Sequence, residues 1–154
     1  MDSRTFRNAM GRFATGVTIV TTEVGRETHG MTANAFMSVS LDPKLVTISI
    51  DHKAKMLEQI NQSQQFAVSI LSEEQMDVSM HFANQKDCPD AVQFEYISGV
   101  PIINNALAAV VCDVEQSFEV GDHTLFIGKV LEIKLTEGNP LAFFEGKYGS
   151  YQPV

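Results

Sequence analysis

The 154-residue sequence has no tryptophan, only two cysteines and no apolar run close to the roughly 18 residues that span a bilayer. Cys88 and Cys112 form no CxxC motif and have no histidine partner at metal-ligand spacing. We therefore expect reduced thiols and no metal site. The N-terminal residues 1–7 lack the continuous apolar stretch of a signal peptide. These absences predict a cytoplasmic protein that does not enter a membrane.

Basic residues are also scarce, with 11 Lys and Arg against 19 Asp and Glu, for a formal net charge of −8 at pH 7. A surface that binds nucleic acid is basic, so this charge argues against nucleic acid as a partner. Hydrophobic residues make up 44% of the chain and charged residues 19%, as in globular proteins. Without a repeat or a low-complexity linker, residues 1–154 are expected to form a single domain.

Hydrophobic periodicity predicts a mainly β protein with three short helices. Strands are expected over 17–22, 45–50, 66–71, 107–120, 124–135 and around 143–144. Helices are expected over 3–14, 53–61 and 72–82, with Ser3 and Ser72 at the N-caps of the first and third. The polar segment 84–105 is predicted to be a long loop. Strands follow strands here, and no GxGxxG follows a strand, which favours an antiparallel barrel over a doubly wound dinucleotide-binding sheet.

Two segments carry residues suited to ligand binding. The segment from Gly30 to Pro43 is rich in small residues and in residues bearing hydroxyl and amide groups. Small side chains let the backbone approach a flat ligand closely, and Thr, Asn and Ser supply hydrogen bonds. The second segment, Gly121-Asp122-His123, is a predicted turn between two long strands.

Several segments resemble, in the same order, the short-chain flavin reductase family: 6–22, 30–36, 38–43, 66–71, 121–124 and 146–149. The resemblance covers the chain from Phe6 to Tyr148. It implies an antiparallel Greek-key split β-barrel with a few short peripheral helices, usually as a homodimer. It also implies reduction of FMN or FAD by NADH or NADPH, through hydride transfer to flavin N5. Many members supply reduced flavin to a separate monooxygenase, so an oxygenase component is an expected partner.

Such an enzyme needs a slot for the isoalloxazine ring, hydrogen-bond donors toward its pyrimidine oxygens and a phosphate site. Asn34 is expected to contact the ring or the ribityl chain, although it would also suit a turn with no ligand. The other residues expected along the slot and at the phosphate are Thr32, Ala33, Ala35, Ser38, Val39, Ser40, Asp51, Lys53 and Lys55. For the two lysines an ordinary solvated surface is the alternative.

His123 is the expected catalytic residue, because the Gly-Asp-His segment of the family resembles a contact on the nicotinamide side. The alternative is a turn histidine that only packs on its neighbours. His81 and Phe82, at the end of the third predicted helix, are included among the expected cofactor-binding residues. Interaction with the helix C-terminus would also explain His81. Tyr148 is expected beside a ligand or a second subunit, or else packed on the barrel.

Three functions are compatible with these residues. The favoured one is an NAD(P)H-dependent flavin reductase. The others are a non-catalytic flavin-binding or electron-carrier protein and a small β-barrel interaction domain without flavin. The sequence leaves open FMN against FAD and NADH against NADPH.

Overall fold

The computed structural model describes residues 1–154 and is mainly β. Its helices are α1 (Ser3–Gly11), α2 (Lys55–Ser63) and α3 (Met76–Phe82), with 3-10 turns at Glu73–Gln75 and Pro89–Ala91. Its strands are β1 (Thr15–Gly16), β2 (Thr18–Val24), β3 (Glu27–Ala33), β4 (Phe36–Leu41), β5 (Lys44–Asp51), β6 (Gln65–Ile70), β7 (Phe94–Ile97), β8 (Val100–Ile103), β9 (Ala108–Val120), β10 (His123–Leu135), β11 (Leu141–Phe144) and β12 (Lys147–Ser150).

Seven strands form one antiparallel sheet in the order β3-β2-β6-β9-β10-β5-β4. From β5 the chain passes through α2 to β6, which skips β9 and β10 in the sheet, a connection of the Greek-key kind. The two edge strands, β3 and β4, are consecutive in the chain and are separated only by Asn34 and Ala35. The predicted mainly β, antiparallel fold with short peripheral helices is therefore confirmed.

A single core lies inside this sheet. Buried side chains from β2, β5, β6, β9, β10 and α2 form one cluster, and residues of β3 and β4 pack against it. Strand β5 shows the alternation that produces this arrangement, since Val46, Ile48 and Ile50 are buried while the residues between them are not. Because all seven strands contact one core, the sheet is rolled around it as a barrel.

Two further layers cover the outside of the barrel. Helix α3 and the small sheet β1-β11-β12 enclose a second apolar cluster that includes Val17 and Leu71. The hairpin β7–β8 packs Val100 and Ile102 on the outer face of β6 and β9. Two buried hydroxyl groups fix this hairpin, because Thr21 Oγ1 donates to the Pro101 carbonyl and Ser69 Oγ accepts from the Ile103 N–H.

The prediction of a long loop over 84–105 was wrong, because the segment contains this hairpin. Ser98 and Gly99 adopt φ angles of 51° and 79°, as the two central residues of a tight hairpin turn require. All four residues of β8 are buried against the barrel. The signal in the sequence was a short segment rich in aromatic and β-branched residues on each side of Ser98-Gly99, 94–97 and 100–103. The neighbouring polar residues and Pro101 obscured it.

The ends of the other elements differ in smaller ways. Helix α1 ends at Gly11, and its N-cap is Asp2 rather than Ser3, because Asp2 Oδ1 accepts from the Thr5 N–H at 2.7 Å. Ser72 does begin the third helical segment, and its N–H donates to Gln75 Oε1 at 3.0 Å. His123 is the first residue of β10 rather than part of the turn, which consists of Gly121 and Asp122.

Gly128 is expected to be essential for core packing. An added Cβ there would lie 2.6 Å from the Phe66 ring and 2.8 Å from Cys112 Cβ. The Gly128→Ala substitution should therefore lower the free energy of unfolding by about 1–3 kcal/mol, as overpacking of a filled core does. Urea unfolding of this variant and of Gly16→Ala, whose Cβ would meet no atom within 4 Å, makes the comparison. Equal unfolding midpoints for the two variants would show that the core accommodates the methyl group.

Candidate functional site

The connection between β3 and β4 exposes unused hydrogen-bond donors. The Asn34 carbonyl accepts from the Phe36 N–H at 3.0 Å, and the Ala35 carbonyl accepts from the Ser49 N–H at 3.2 Å. The N–H groups of Asn34 and Ala35 donate to no carbonyl of the chain, and both residues are exposed. With a methyl side chain at Ala35, these donors are accessible to a flat ligand.

Asn34 also borders a cavity of about 180 Å³ between the barrel, α3 and the small sheet. We call it the Asn34 cavity, and its lining residues are Val17, Thr32, Ala33, Asn34, Ser79, Ala83, Gln85, Phe143 and Tyr148. Four of the expected cofactor-binding residues, Thr32, Ala33, Asn34 and Tyr148, therefore lie together. Thr32 comes from β3 and Tyr148 from β12, so the cavity depends on the tertiary fold.

His81 and Phe82 line a neighbouring hollow of about 400 Å³, which meets the Asn34 cavity at Gln85. His81 Nδ1 accepts from the Cys88 N–H at 3.1 Å, which leaves Nε2 to carry the proton of the neutral ring. The Phe82 ring packs directly on Gly30, where an added Cβ would lie 2.6 Å from it. Phe82 thus holds α3 against β3 as well as lining the hollow.

A second group of expected residues lies where β5 ends and α2 begins. Asp51 Oδ1 accepts from the Lys53 N–H at 2.8 Å and the Asp51 carbonyl accepts from the Ala54 N–H at 2.9 Å, so Asp51 shapes this turn. Ala54 is the N-cap of α2 and supplies no side-chain cap. Lys53 and Lys55 are exposed at this helix start, where backbone N–H groups and positive charge favour an anion.

His123 joins this second group, because it pairs with Asp51 across β10 and β5. Its Nδ1 lies 2.7 Å from Asp122 Oδ1, and its side chain is 40% exposed. The hydrogen bond with His123, followed by the charge of the ring, lowers the pKa of Asp122 below its ordinary value of 3.8. Asp122 therefore stays a carboxylate at neutral pH and orients the ring, with Nε2 on the side away from it.

Ser38, Val39 and Ser40 lie apart from both cavities, on the edge strand β4. A bulge falls between Ser38 and Ser40 in the pairing with β5. Ser38 and Val39 are exposed and Ser40 is half-buried. Bulges on edge strands re-aim side chains, and this one interrupts the alternation along β4.

Sequence reasoning missed five residues of the cavity wall, which are Ser79 on α3, Ala83 and Gln85 just after it, Phe143 on β11, and Val17. Nothing in their local sequence distinguishes them from ordinary helix, loop and strand residues. A further cavity, of about 550 Å³, contains none of the expected site residues. It lies between the start of α3 and the polar 136–139 segment.

Other reactive groups give no second centre. No cluster of three or more His, Cys, Asp or Glu side chains is placed to hold a metal ion. Both cysteines are free thiols. Burial, and secondarily the charge of Asp113, raises the pKa of Cys112 to about 12, so this thiol stays protonated and inert. No helix has the length and apolar character needed to cross a bilayer.

This architecture defines a class of protein. A β-barrel with free donors at a strand connection, an aromatic-walled cavity beside them and lysines at a nearby helix start suits a planar ligand that carries phosphate. Comparison with known proteins identifies the class more closely. The family model of the flavin reductase-like domain matches residues 10–152. The chain therefore belongs to the flavin reductase-like family, which confirms the resemblance seen in the sequence.

Individual relatives agree with this assignment. The chain is 47% identical over 149 residues to an NADH-dependent flavin reductase of Rhodococcus sp., covering 95% of this chain and 85% of that protein. It is 40% identical over 144 residues to the reductase component of 4-hydroxyphenylacetate 3-monooxygenase from Thermus thermophilus, covering 93% of each. The solved structure of the flavin reductase PheA2 in its native state superposes with a TM-score of 0.96 at 59% identity, covering 99% of this chain and 100% of that one.

Proposed function

We propose that this protein is an NADH-dependent flavin reductase that reduces FMN or FAD. The observation that carries the proposal is the pair of unused, exposed N–H donors at Asn34 and Ala35 beside an aromatic-walled cavity. Membership of the flavin reductase-like family over residues 10–152 supports it. Relatives named as NADH-dependent reductases favour this function over a non-catalytic flavin carrier.

The residues of the chain would bind and orient two planar ligands. Asn34 and Ala35 would donate hydrogen bonds to the polar edge of the flavin ring, and the small Ala33 side chain would let that ring approach. When both ligands are bound, the reduced nicotinamide supplies a hydride to flavin N5. The protein then needs no general base, and its contribution is to align the rings and exclude water.

The phosphate group would lie at the start of α2. Lys53 and Lys55 make no ion pair with an acidic side chain. They therefore remain free to neutralise phosphate, together with the N-terminal N–H groups of the helix. Ser38 and Ser40, on either side of the β4 bulge, would add hydroxyl contacts, and Val39 would contact the cofactor from the bulge itself. His123 would face the nicotinamide side, with Asp122 orienting its ring.

A partner is also proposed. One relative is named as the reductase component of a monooxygenase, so we propose that reduced flavin passes from this protein to a separate oxygenase. We further propose a cytoplasmic location, because Cys88 and Cys112 are free thiols and reduced cysteines are typical of that compartment.

Oxidation of NADH, followed at 340 nm with and without added flavin, tests the function directly. We expect oxidation with NADH that depends on added FMN or FAD, because the flavin accepts the hydride. Parallel assays with NADPH, FMN and FAD determine the preferred pair. A purified protein that binds flavin but oxidises neither nucleotide would instead be a carrier.

Asn34→Ala should weaken flavin binding about tenfold, which corresponds to roughly 1.4 kcal/mol, because one hydrogen-bonding side chain at the ring is lost. Thermal unfolding should stay unchanged, since Asn34 is exposed. Fluorescence titration with FMN and FAD measures the dissociation constant. Asn61→Ala, which removes an exposed amide on α2, is the matched control. Equal flavin affinity in the two variants would remove the Asn34 side chain from the site.

We also propose that the protein is a homodimer. Beyond Asp113 strand β9 has no β6 partner, so its last residues form a free edge, while β10 remains paired with β5. There Phe118 and Val120 are 48% and 54% exposed. Met37, on β4, is 59% exposed. The residue pairing through β5 and β10 places it on the same outward face as Phe118 and Val120. Exposed apolar side chains on one outward face of a sheet are typical of an association surface.

Light scattering coupled to size exclusion should give about 34 kDa, twice the 17.0 kDa of one chain. Phe118→Asp should yield a protein of half that mass, because a charge in the centre of an apolar interface opposes association. Phe13→Asp places the same charge on α1, where Phe13 is 78% exposed, and should leave the dimer intact. Dissociation by Phe13→Asp alone would move the interface to α1, and a wild-type monomer would exclude the dimer.

A further inference from the structure

The Asn34 cavity and an apolar groove of about 380 Å³ at the small sheet share two aromatic lining residues. Phe143 and Tyr148 line both spaces. They face each other across the β11–β12 ladder, with ring centroids 5.4 Å apart in an edge-to-face arrangement. The Tyr148 ring therefore forms part of the wall of the Asn34 cavity.

Ser79 holds the Tyr148 ring through the hydroxyl group of the tyrosine. Ser79, on α3, is fully buried, and its Oγ lies 2.7 Å from the Tyr148 hydroxyl. The carbonyl of Ser79 accepts a hydrogen bond from Thr32 Oγ1 at 2.6 Å. Ser79 thus connects the two opposite walls of the cavity, β3 through Thr32 and β12 through Tyr148.

We propose that Ser79 is a positioning residue that holds the Tyr148 ring as the side wall of a slot for a flat heteroaromatic ring. The inference rests on the proposed function, and the ring is the isoalloxazine of the flavin or the nicotinamide of the nucleotide. A phenol ring anchored at its hydroxyl cannot swing into the slot, so the slot stays open before the ligand arrives. Without the hydrogen bond to Ser79 the Tyr148 ring can turn into the slot. Ligand binding must then reopen the slot, which weakens the affinity.

Two substitutions each remove one side of the anchor and keep the ring. Ser79→Ala and Tyr148→Phe should each raise the KM of one ligand about three- to tenfold with little change in kcat. Because both break the same hydrogen bond, the double variant should be no weaker than either single one. Separate titrations with flavin and with NAD⁺, read by calorimetry, show which ring occupies the slot and do not depend on turnover.

Ser69→Ala provides the matched control. Ser69 is also fully buried, and its Oγ also has one partner, the Ile103 N–H, but it lies under the β7–β8 hairpin and does not line the Asn34 cavity. It should lower stability without changing either dissociation constant. Effects of Ser79→Ala on binding no larger than those of Ser69→Ala would overturn the proposal, as would additive effects of Ser79→Ala and Tyr148→Phe. A wild-type protein that binds neither flavin nor NAD⁺ would instead refute the proposed function, and the slot with it.

Discussion

The structure depends on one topological constraint, the passage from one edge of the barrel sheet to the other within Asn34 and Ala35. Consecutive strands β3 and β4 form opposite edges of the seven-stranded sheet. The chain therefore leaves one ladder and enters another within two residues, and it cannot pair every backbone group there. Both carbonyls are used and both N–H groups are left free. The binding donors of the candidate site are thus a direct result of how the barrel is made.

The sequence predicts well where local pattern determines structure. Alternation in β5 predicts a strand because burial on one face imposes a period of two. The β-branched run of β2, which is buried over Thr18–Thr22, predicts a strand by its β propensity. Segment 84–105 was mistaken for a loop because Pro101 and the polar residues around it are local signals that are typical of loops. The burial of Val100–Ile103 depends on the outer face of β6 and β9, which lies elsewhere in the chain. Tertiary packing, which single-sequence patterns do not contain, decided that segment.

The same distinction applies to the site. Thr32, Ala33 and Asn34 are neighbours in sequence, and their side-chain chemistry is enough to predict a binding segment. Ser79 and Phe143 reach the Asn34 cavity only because α3 packs on β3 and the small sheet packs beside it. Gly30 permits that packing, since its missing side chain leaves room for the Phe82 ring. The absence of a side chain at Gly30 therefore lets α3 pack closely enough on β3 to bring Ser79 to the Asn34 cavity.

Buried hydroxyl groups show how the barrel separates stability from binding. Thr21 and Ser69 are fully buried and hydrogen-bond to backbone groups of β8. Backbone partners are present in any sequence, so these two residues stabilise the fold whatever side chains surround them. Ser79 is equally buried, but its hydroxyl pairs with a side chain at a cavity wall. A buried hydroxyl needs one partner, and the partner of this one, Tyr148, both packs on the second apolar cluster and lines the Asn34 cavity.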